Sequence, residues 1–392
     1  MSSLFAERML DIPKSFIREI LKVAVDPEII SFAGGLPNKE LFPVADIQEA
    51  ARSQFELAGK EILQYTTTEG YLPLRQYIAD RYKENRGIEI SPQNILITSG
   101  SQQALDLLAK IFLNKDDKVI LEEPGYLGAI QAFSIYAPEF KTVPLHEDGL
   151  DIKSLKQVLG KYSPKLMYTV PNFQNPSGIS YTEKNRKQVA DLMRDKEMLI
   201  IEDDPYGDLR YVGENILSFK QIIPEQSILL GSFSKTVAPG FRIGWVVAPE
   251  PVFEKLVIAK QASDLHTNYV GQRILYQYLA TNDLDQHVAR IKECYNKQRE
   301  VMLDSIEKYF PKEIECTQPE GGMFLWAELP EGLSAMDLFE TAIDAKVAFV
   351  PGDPFYIDQE DVNTLRLNFS CVAEDQIDIG IKRLGKAIKE ML

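Results

Sequence analysis

Cysteine and histidine are both scarce in this 392-residue chain, at three each. Cys294, Cys316 and Cys371 stand far apart, so they form neither a disulfide framework nor a metal cluster, and free thiols are the expected state. His146, His266 and His287 lack the spacing of a zinc site, and no metal is expected. Long apolar runs are absent too. Nothing approaches the roughly 18 residues of a membrane span, so no membrane partner is expected. Met1 to Leu10 carries Glu7 and Arg8 and no apolar centre, unlike a signal peptide. Excess positive charge is also missing: 43 basic residues face 58 acidic ones, for a net charge of −15. That balance argues against nucleic acid as a partner and for a soluble cytoplasmic protein. It leaves an anionic small molecule open, because local arginines decide that.

What is present is ordinary globular composition, 45% hydrophobic and 26% charged, long enough for two or three domains. Short apolar runs at Ile95–Thr98, Val119–Leu121, Lys165–Val170, Met198–Glu202 and Ser227–Leu230 alternate with helical segments. This alternation predicts βαβ units and a mostly parallel sheet. Residues 12–26 read as a short amphipathic helix with Ile17, Ile20, Leu21 and Ala24 on one side. Asp46-Ile47-Gln48-Glu49 has capping-box spacing and predicts a helix starting there and reaching about Ala58. After about residue 285 the pattern changes to a long helix over Gln286–Phe310, a strand over Met323–Trp326 and a helix capped by Ser334. Val347–Val350 and Thr364–Phe369 alternate like strands with one exposed face, and a last helix spans Glu374–Met391. That is an α+β unit of about 100 residues.

In open parallel sheets, ligands sit outside the carboxyl ends of the strands. The unusual polar residues gather there: Ser101, Tyr126, Asn175, Asp203, Tyr206 and Lys235. Strand Ile95–Thr98 runs through Ser99-Gly100 into a helix beginning at Ser101, a candidate anion site. The densest stretch is Ser232-Phe233-Ser234-Lys235-Thr236-Val237-Ala238-Pro239-Gly240-Phe241-Arg242-Ile243-Gly244-Trp245. It sets one lysine among hydroxyls, seven positions before an arginine. Lysine forms Schiff bases with carbonyl cofactors, while hydroxyls and arginine hold phosphate. Pyridoxal 5'-phosphate carries both an aldehyde and a phosphate.

This loop resembles the Schiff-base signature of class I/II aminotransferases, in the fold-type I pyridoxal-phosphate (PLP) superfamily. Ser31-Phe32-Ala33-Gly34-Gly35-Leu36-Pro37, Thr98-Ser99-Gly100-Ser101-Gln102-Gln103-Ala104-Leu105-Asp106, Asp264-Leu265-His266-Thr267 and Gly321-Gly322-Met323-Phe324 look like the branch of 2-aminoadipate, kynurenine and aromatic amino acid aminotransferases. The resemblance spans nearly the whole chain. It implies an α/β, fold-type I PLP-dependent transferase, with a large domain over residues 46–285 built on a mostly parallel seven-stranded sheet. A small α+β domain over residues 286–392 would pack with an N-terminal segment, residues 1–45.

The same resemblance assigns roles. Lys235 carries the cofactor as a Schiff base and then moves the substrate α-proton. Asp203 pairs with the pyridine nitrogen, and Asp204 beside it is a bystander or a helix cap. Tyr206 and Asn175 bond the phenolic oxygen, and Tyr126 stacks on the ring. Ser101, Gln102, Ser232, Ser234 and Arg242 grip the phosphate, joined by Tyr65 from a neighbouring subunit, which implies a homodimer with shared sites. Arg366 binds the substrate α-carboxylate, with Asn175 and the Gly35 backbone beside it. Ser15 and Arg18 match readers of a distal carboxylate. The implied reaction is ping-pong transamination between amino acids and 2-oxo acids, with 2-oxoglutarate and glutamate as one pair. The alternatives are a lyase or decarboxylase acting through the same lysine, and, from another class, a regulatory binding domain.

Overall fold

Buried central strands and a half-buried strand near one edge build the larger sheet. A computed structural model of the chain describes residues 4–10, 26–359 and 361–392. The sheet order is Ile95–Thr98, Gly244–Val247, Ser227–Ser232, Leu199–Asp203, Leu166–Thr169, Lys118–Glu123, Glu139–His146 and Gly149–Leu150. From Ser227–Ser232 to Glu139–His146 every neighbouring pair is parallel. Gly244–Val247 runs antiparallel to both its neighbours. Among the described residues the sheet therefore has eight strands, where seven were expected. Chain reversal after His146 lets the two-residue strand Gly149–Leu150 pair back onto the edge.

Parallel strands covered on both faces read as continuous apolar runs. Alternation then sorts their side chains. Ile228 and Leu230 face one cluster with Leu105 and Leu108, whereas Leu229 faces another with Leu74, Ile78 and Leu275. Each fully buried Leu or Ile contributes about 1.5–3 kcal/mol. This packing holds the strand ends rigid beneath the polar residues that follow them.

Helix Val44–Ala58 begins two residues before Asp46 and has no side-chain cap, so the expected capping box is not used. The Pro43 carbonyl accepts from Ile47 N instead, leaving Asp46 within the first turn, where its charge favours the helix dipole. Ser334 does cap its helix, accepting from Met336 N at 3.2 Å and Asp337 N at 3.4 Å. Residues 12–25 of the expected N-terminal helix lie outside the described residues.

A second sheet, antiparallel, has the order Glu315–Cys316, Phe324–Glu328, Thr364–Asn368 and Val350–Pro351. Helices Leu284–Tyr309, Ala335–Asp344 and Glu374–Met391 accompany it. Ile30–Ser31 pairs in parallel with Val347–Ala348, tying the segment before Gly34-Gly35 to this region. Thr364–Asn368 is buried along its whole length, contrary to the one-exposed-face reading. On its polar face Arg366 bonds Ala33 O, in the segment after Ile30–Ser31, and Asn175 in the loop after Leu166–Thr169.

Candidate active site

The carboxyl ends of the larger sheet border a cleft of about 440 Å³. Asp203 closes strand Leu199–Asp203 and is buried. Its Oδ2 accepts from the Tyr168 hydroxyl at 2.8 Å, while its Oδ1 has no partner among the described residues. Burial raises its pKa to about 7, since water no longer stabilises the anion. The Tyr126 ring lies nearly parallel to Tyr168, with centroids 6.4 Å apart and an angle of 22°. Tyr206 is buried edge-on to Phe324, also lining the cleft.

Lys235 Nζ donates to the Gly35 carbonyl at 2.7 Å. Loss of water around the amine lowers its pKa to about 8. A lysine so placed is nucleophilic near neutral pH. Gly35 was expected to meet substrate through its backbone; in the structure its carbonyl holds this amine.

The opposite end is built for an anion. Helix Ser101–Phe112 begins at the cleft with no side-chain cap, leaving first-turn N–H groups free to donate. Ser232 Oγ donates to Ser234 Oγ at 2.8 Å, and both line the cleft. Because Gly244–Val247 runs antiparallel, its starting end faces the cleft and brings Arg242 there. Arg242 Nη2 donates to Ser99 O at 3.3 Å, and the residue has φ of 52°. Gly100 beneath it has φ of 77°, and a Cβ there would come 2.5 Å from Arg242 Nη2. Gln102 lines the cleft and donates to Gly128 O at 2.9 Å. Behind the turn, the buried Lys260 amine bonds Gln103 Oε1 at 3.0 Å, and that oxygen also accepts from Ser99 N at 2.8 Å.

Arg366 is 3% exposed. Nη1 donates to Asn175 Oδ1 at 2.7 Å and Nη2 to Ala33 O at 2.8 Å, while Nε has no partner among the described residues. Its guanidinium carbon sits 4.5 Å from the Phe324 ring centroid and 5.3 Å from that of Phe355. Burial lowers its pKa to about 10. No carboxylate among the described residues pairs with it. A desolvated cation without a counterion is costly, and an arriving carboxylate removes that cost.

One expected site residue of the described chain does not line this cleft. Tyr65 is 77% exposed and stands edge-on to His266. Ser15 and Arg18 lie outside the described residues. Asp204 is neither idle nor a cap: it accepts from Asn172 Nδ2 at 2.9 Å and lies 3.9 Å from Arg86 Nη2. Sequence reading missed Tyr168 and Lys260. Tyr168 sits inside an apolar strand, and Lys260 looks like any helix lysine.

Residues 27–384 match the family model for aminotransferase class I and II. The chain belongs to this family. The aminotransferase is 44% identical over 392 residues to the aromatic-amino-acid aminotransferase 1 of Thermococcus litoralis, covering 98% of this chain and 94% of that protein. Its structure matches the Pyrococcus horikoshii kynurenine aminotransferase, solved with PMP, at a TM-score of 0.96 and 41% identity, over 100% of this chain and 98% of that one. It also matches the α-aminoadipate aminotransferase of Thermus thermophilus, complexed with N-(5'-phosphopyridoxyl)-L-leucine, at a TM-score of 0.92 and 40% identity, over 100% of this chain and 98% of that one. The aminotransferase is thus an enzyme of the PLP-dependent class, with a fold-type I architecture.

Proposed function

We propose that the cleft binds pyridoxal 5'-phosphate and transfers an amino group from an L-amino acid to a 2-oxo acid. Glutamate and 2-oxoglutarate form one pair in this reading, with 2-aminoadipate, aromatic or branched-chain amino acids as the other partner. The names of the similar enzymes support that range. The observation that carries the reading is Arg366, a buried cation whose hydrogen-bond partners are an amide and a carbonyl, on the same cleft as a lysine of lowered pKa.

The residues fit the cofactor. Asp203 Oδ1 is a buried acceptor without a donor among the described residues, as a protonated ring nitrogen requires. The turn at Gly100 leaves room that a Cβ would fill, beside hydroxyls, helix amides and a guanidinium suited to a dianion. Bound pyridoxal phosphate supplies an aldehyde that captures amines and a ring that withdraws electrons from the substrate α-carbon. Asp203 Oδ1 would accept from the protonated ring nitrogen, and Tyr126 would pack against the ring. Ser101, Ser232, Ser234 and Arg242 hold the phosphate, with Gln102 beside them. Asn175 and Tyr206 bond the ring hydroxyl. Arg366 would hold the substrate carboxylate, and the Lys235 amine would take the substrate α-proton and hand it on to the cofactor's aldehyde-derived carbon. Ser15 and Arg18 are proposed to read the substrate side chain.

A homodimer in the cytoplasm belongs to the same reading. Tyr65 is exposed and absent from its own cleft, which suits a residue serving a second copy. The net charge of −15 and three free cysteines suit a reducing, aqueous compartment. No helix of the described residues is long and apolar enough to cross a membrane.

The test is the near-ultraviolet and visible spectrum of the protein with pyridoxal phosphate, adding amino acids singly without an oxo acid. Conversion of the pyridoxal band to the pyridoxamine band by glutamate and by one of the other donors is expected. A bound cofactor that no amino acid converts would count against transamination, and no bound cofactor would count against the whole reading.

A further inference from the structure

Tyr168 touches two separate parts of the cleft. Its hydroxyl donates to Asp203 Oδ2 at 2.8 Å. Its ring lies beneath Tyr126, at 22° and 6.4 Å, and edge-on to Phe133 at 6.0 Å. Strand pairing sets this contact: Tyr168 lies opposite Ile201 on the neighbouring strand, two residues before Asp203. The tyrosine itself is 1% exposed, so its hydroxyl needs a buried acceptor. The carboxylate supplies one with Oδ2, and Oδ1 remains without a donor among the described residues.

We propose that Tyr168 is a positioning residue, which pins Oδ2 of Asp203 so that Oδ1 faces the pyridine nitrogen and keeps the shared proton on the ring. This rests on the proposed cofactor reading. Hydrogen bonding to the charged form of a carboxylate favours that form. Asp203 is surrounded by influences of the opposite kind, namely burial and the neighbouring Asp204. Tyr168 is the side chain that opposes them by donating to it. Without that hydroxyl, the carboxyl group is freer to rotate and to hold the proton itself. Because the same ring lies against Tyr126, removing the whole side chain would also disturb the stacking surface, whereas Tyr168→Phe removes only the donor.

The experiment titrates cofactor-free protein with pyridoxal phosphate and with an analogue carrying carbon in place of the ring nitrogen. The wild type is expected to prefer pyridoxal phosphate. Tyr168→Phe is expected to weaken pyridoxal phosphate about tenfold, the scale of one hydrogen bond to a charged group, and to leave analogue binding nearly unchanged. An unchanged preference in Tyr168→Phe overturns the role of Tyr168 while leaving the cofactor site standing. A wild type that binds neither compound overturns the cofactor reading itself. The melting temperature of the cofactor-free variant reports whether it folds. If it does not, 3-fluorotyrosine at position 168, a stronger donor of nearly the same size, is compared with wild type by the 15N signal of labelled cofactor. A signal that persists as protonated to higher pH supports the proposal, and an identical pH profile overturns it.

Discussion

Arg366 and Asn175 meet across the cleft, Nη1 to Oδ1 at 2.7 Å, so the small antiparallel sheet and the loop after Leu166–Thr169 share one hydrogen bond. The amide oxygen neutralises none of the guanidinium charge. Replacing Arg366 with Gln is expected to lower kcat/KM for amino acid and oxo acid alike. The loss of a charged hydrogen bond is worth about 1.5–3 kcal/mol, or roughly ten- to a hundredfold. Steady-state kinetics with both substrates check this. Arg366→Met keeps most of the volume and removes an unpaired buried charge, so the cofactor-free protein should melt no lower than wild type. A large fall in melting temperature would mean that Arg366 is a structural strut.

Two groups give the cofactor a pH-dependent grip. Asp203 has a folded pKa of about 7, above the ordinary 3.8. The folded chain therefore binds this proton more tightly than the unfolded chain, and stability declines as pH rises from about 4 to about 7. Lys235 has a folded pKa of about 8, below the ordinary 10.5. Here the unfolded chain binds the proton more tightly, so the contribution is unfavourable below about 8 and fades toward 10.5. Pyridoxal phosphate relieves both, by pairing with the Asp203 anion and by using the uncharged amine. The rise in melting temperature on adding cofactor is thus expected to be larger near pH 8 than near pH 6. Calorimetry at the two pH values decides it, and an equal rise contradicts the assignment.

Gly100 carries a sharper prediction. Its φ of 77° belongs to a region that side chains rarely adopt, and a Cβ would displace Arg242 Nη2. Gly100→Ala should cost about 1–3 kcal/mol in backbone strain. It should also weaken pyridoxal phosphate by at least about tenfold, with far less effect on pyridoxal, which has no phosphate. Equal weakening of both compounds would place the damage outside the phosphate cradle.

The contrast between residues read and residues missed has a physical cause. Lys235, Ser234 and Arg242 were legible because their chemistry has to be written locally, on one turn after one strand. Asp203 was legible as a polar residue at the carboxyl end of an apolar strand, and its role came from the family resemblance. Tyr168 was not, because a tyrosine inside Leu166–Thr169 looks like core until the register with Leu199–Asp203 places its hydroxyl. Glu139–His146 was missed because a sheet-edge strand mixes Lys141 and Glu139 with apolar residues. Helices Ile152–Lys161, Glu250–Ser263 and Tyr269–Thr281 lie between the motifs and announce no chemistry. Thr364–Asn368 alternates faithfully, yet its polar residues are buried, with Arg366 lining the cleft.

Tyr65 separates a shared site from a self-contained one. It is 77% exposed and does not line its own cleft, so Tyr65→Ala should leave folding intact. If it serves a second copy, it should still weaken pyridoxal phosphate, by about tenfold for a lost charged hydrogen bond. Lys235→Ala should abolish transamination outright. Hybrids of the two variants then decide the geometry. In a mixed dimer, one site combines the intact Lys235 of the Tyr65→Ala subunit with the intact Tyr65 of the other. That site is whole, and the other carries both defects. Coexpressed, differently tagged subunits should therefore regain about half the wild-type activity per dimer at limiting cofactor, a consequence of the shared-site geometry. A self-contained site, from which Tyr65 is absent, predicts instead that Tyr65→Ala alone binds pyridoxal phosphate as tightly as wild type and that the hybrid gains nothing per intact Lys235.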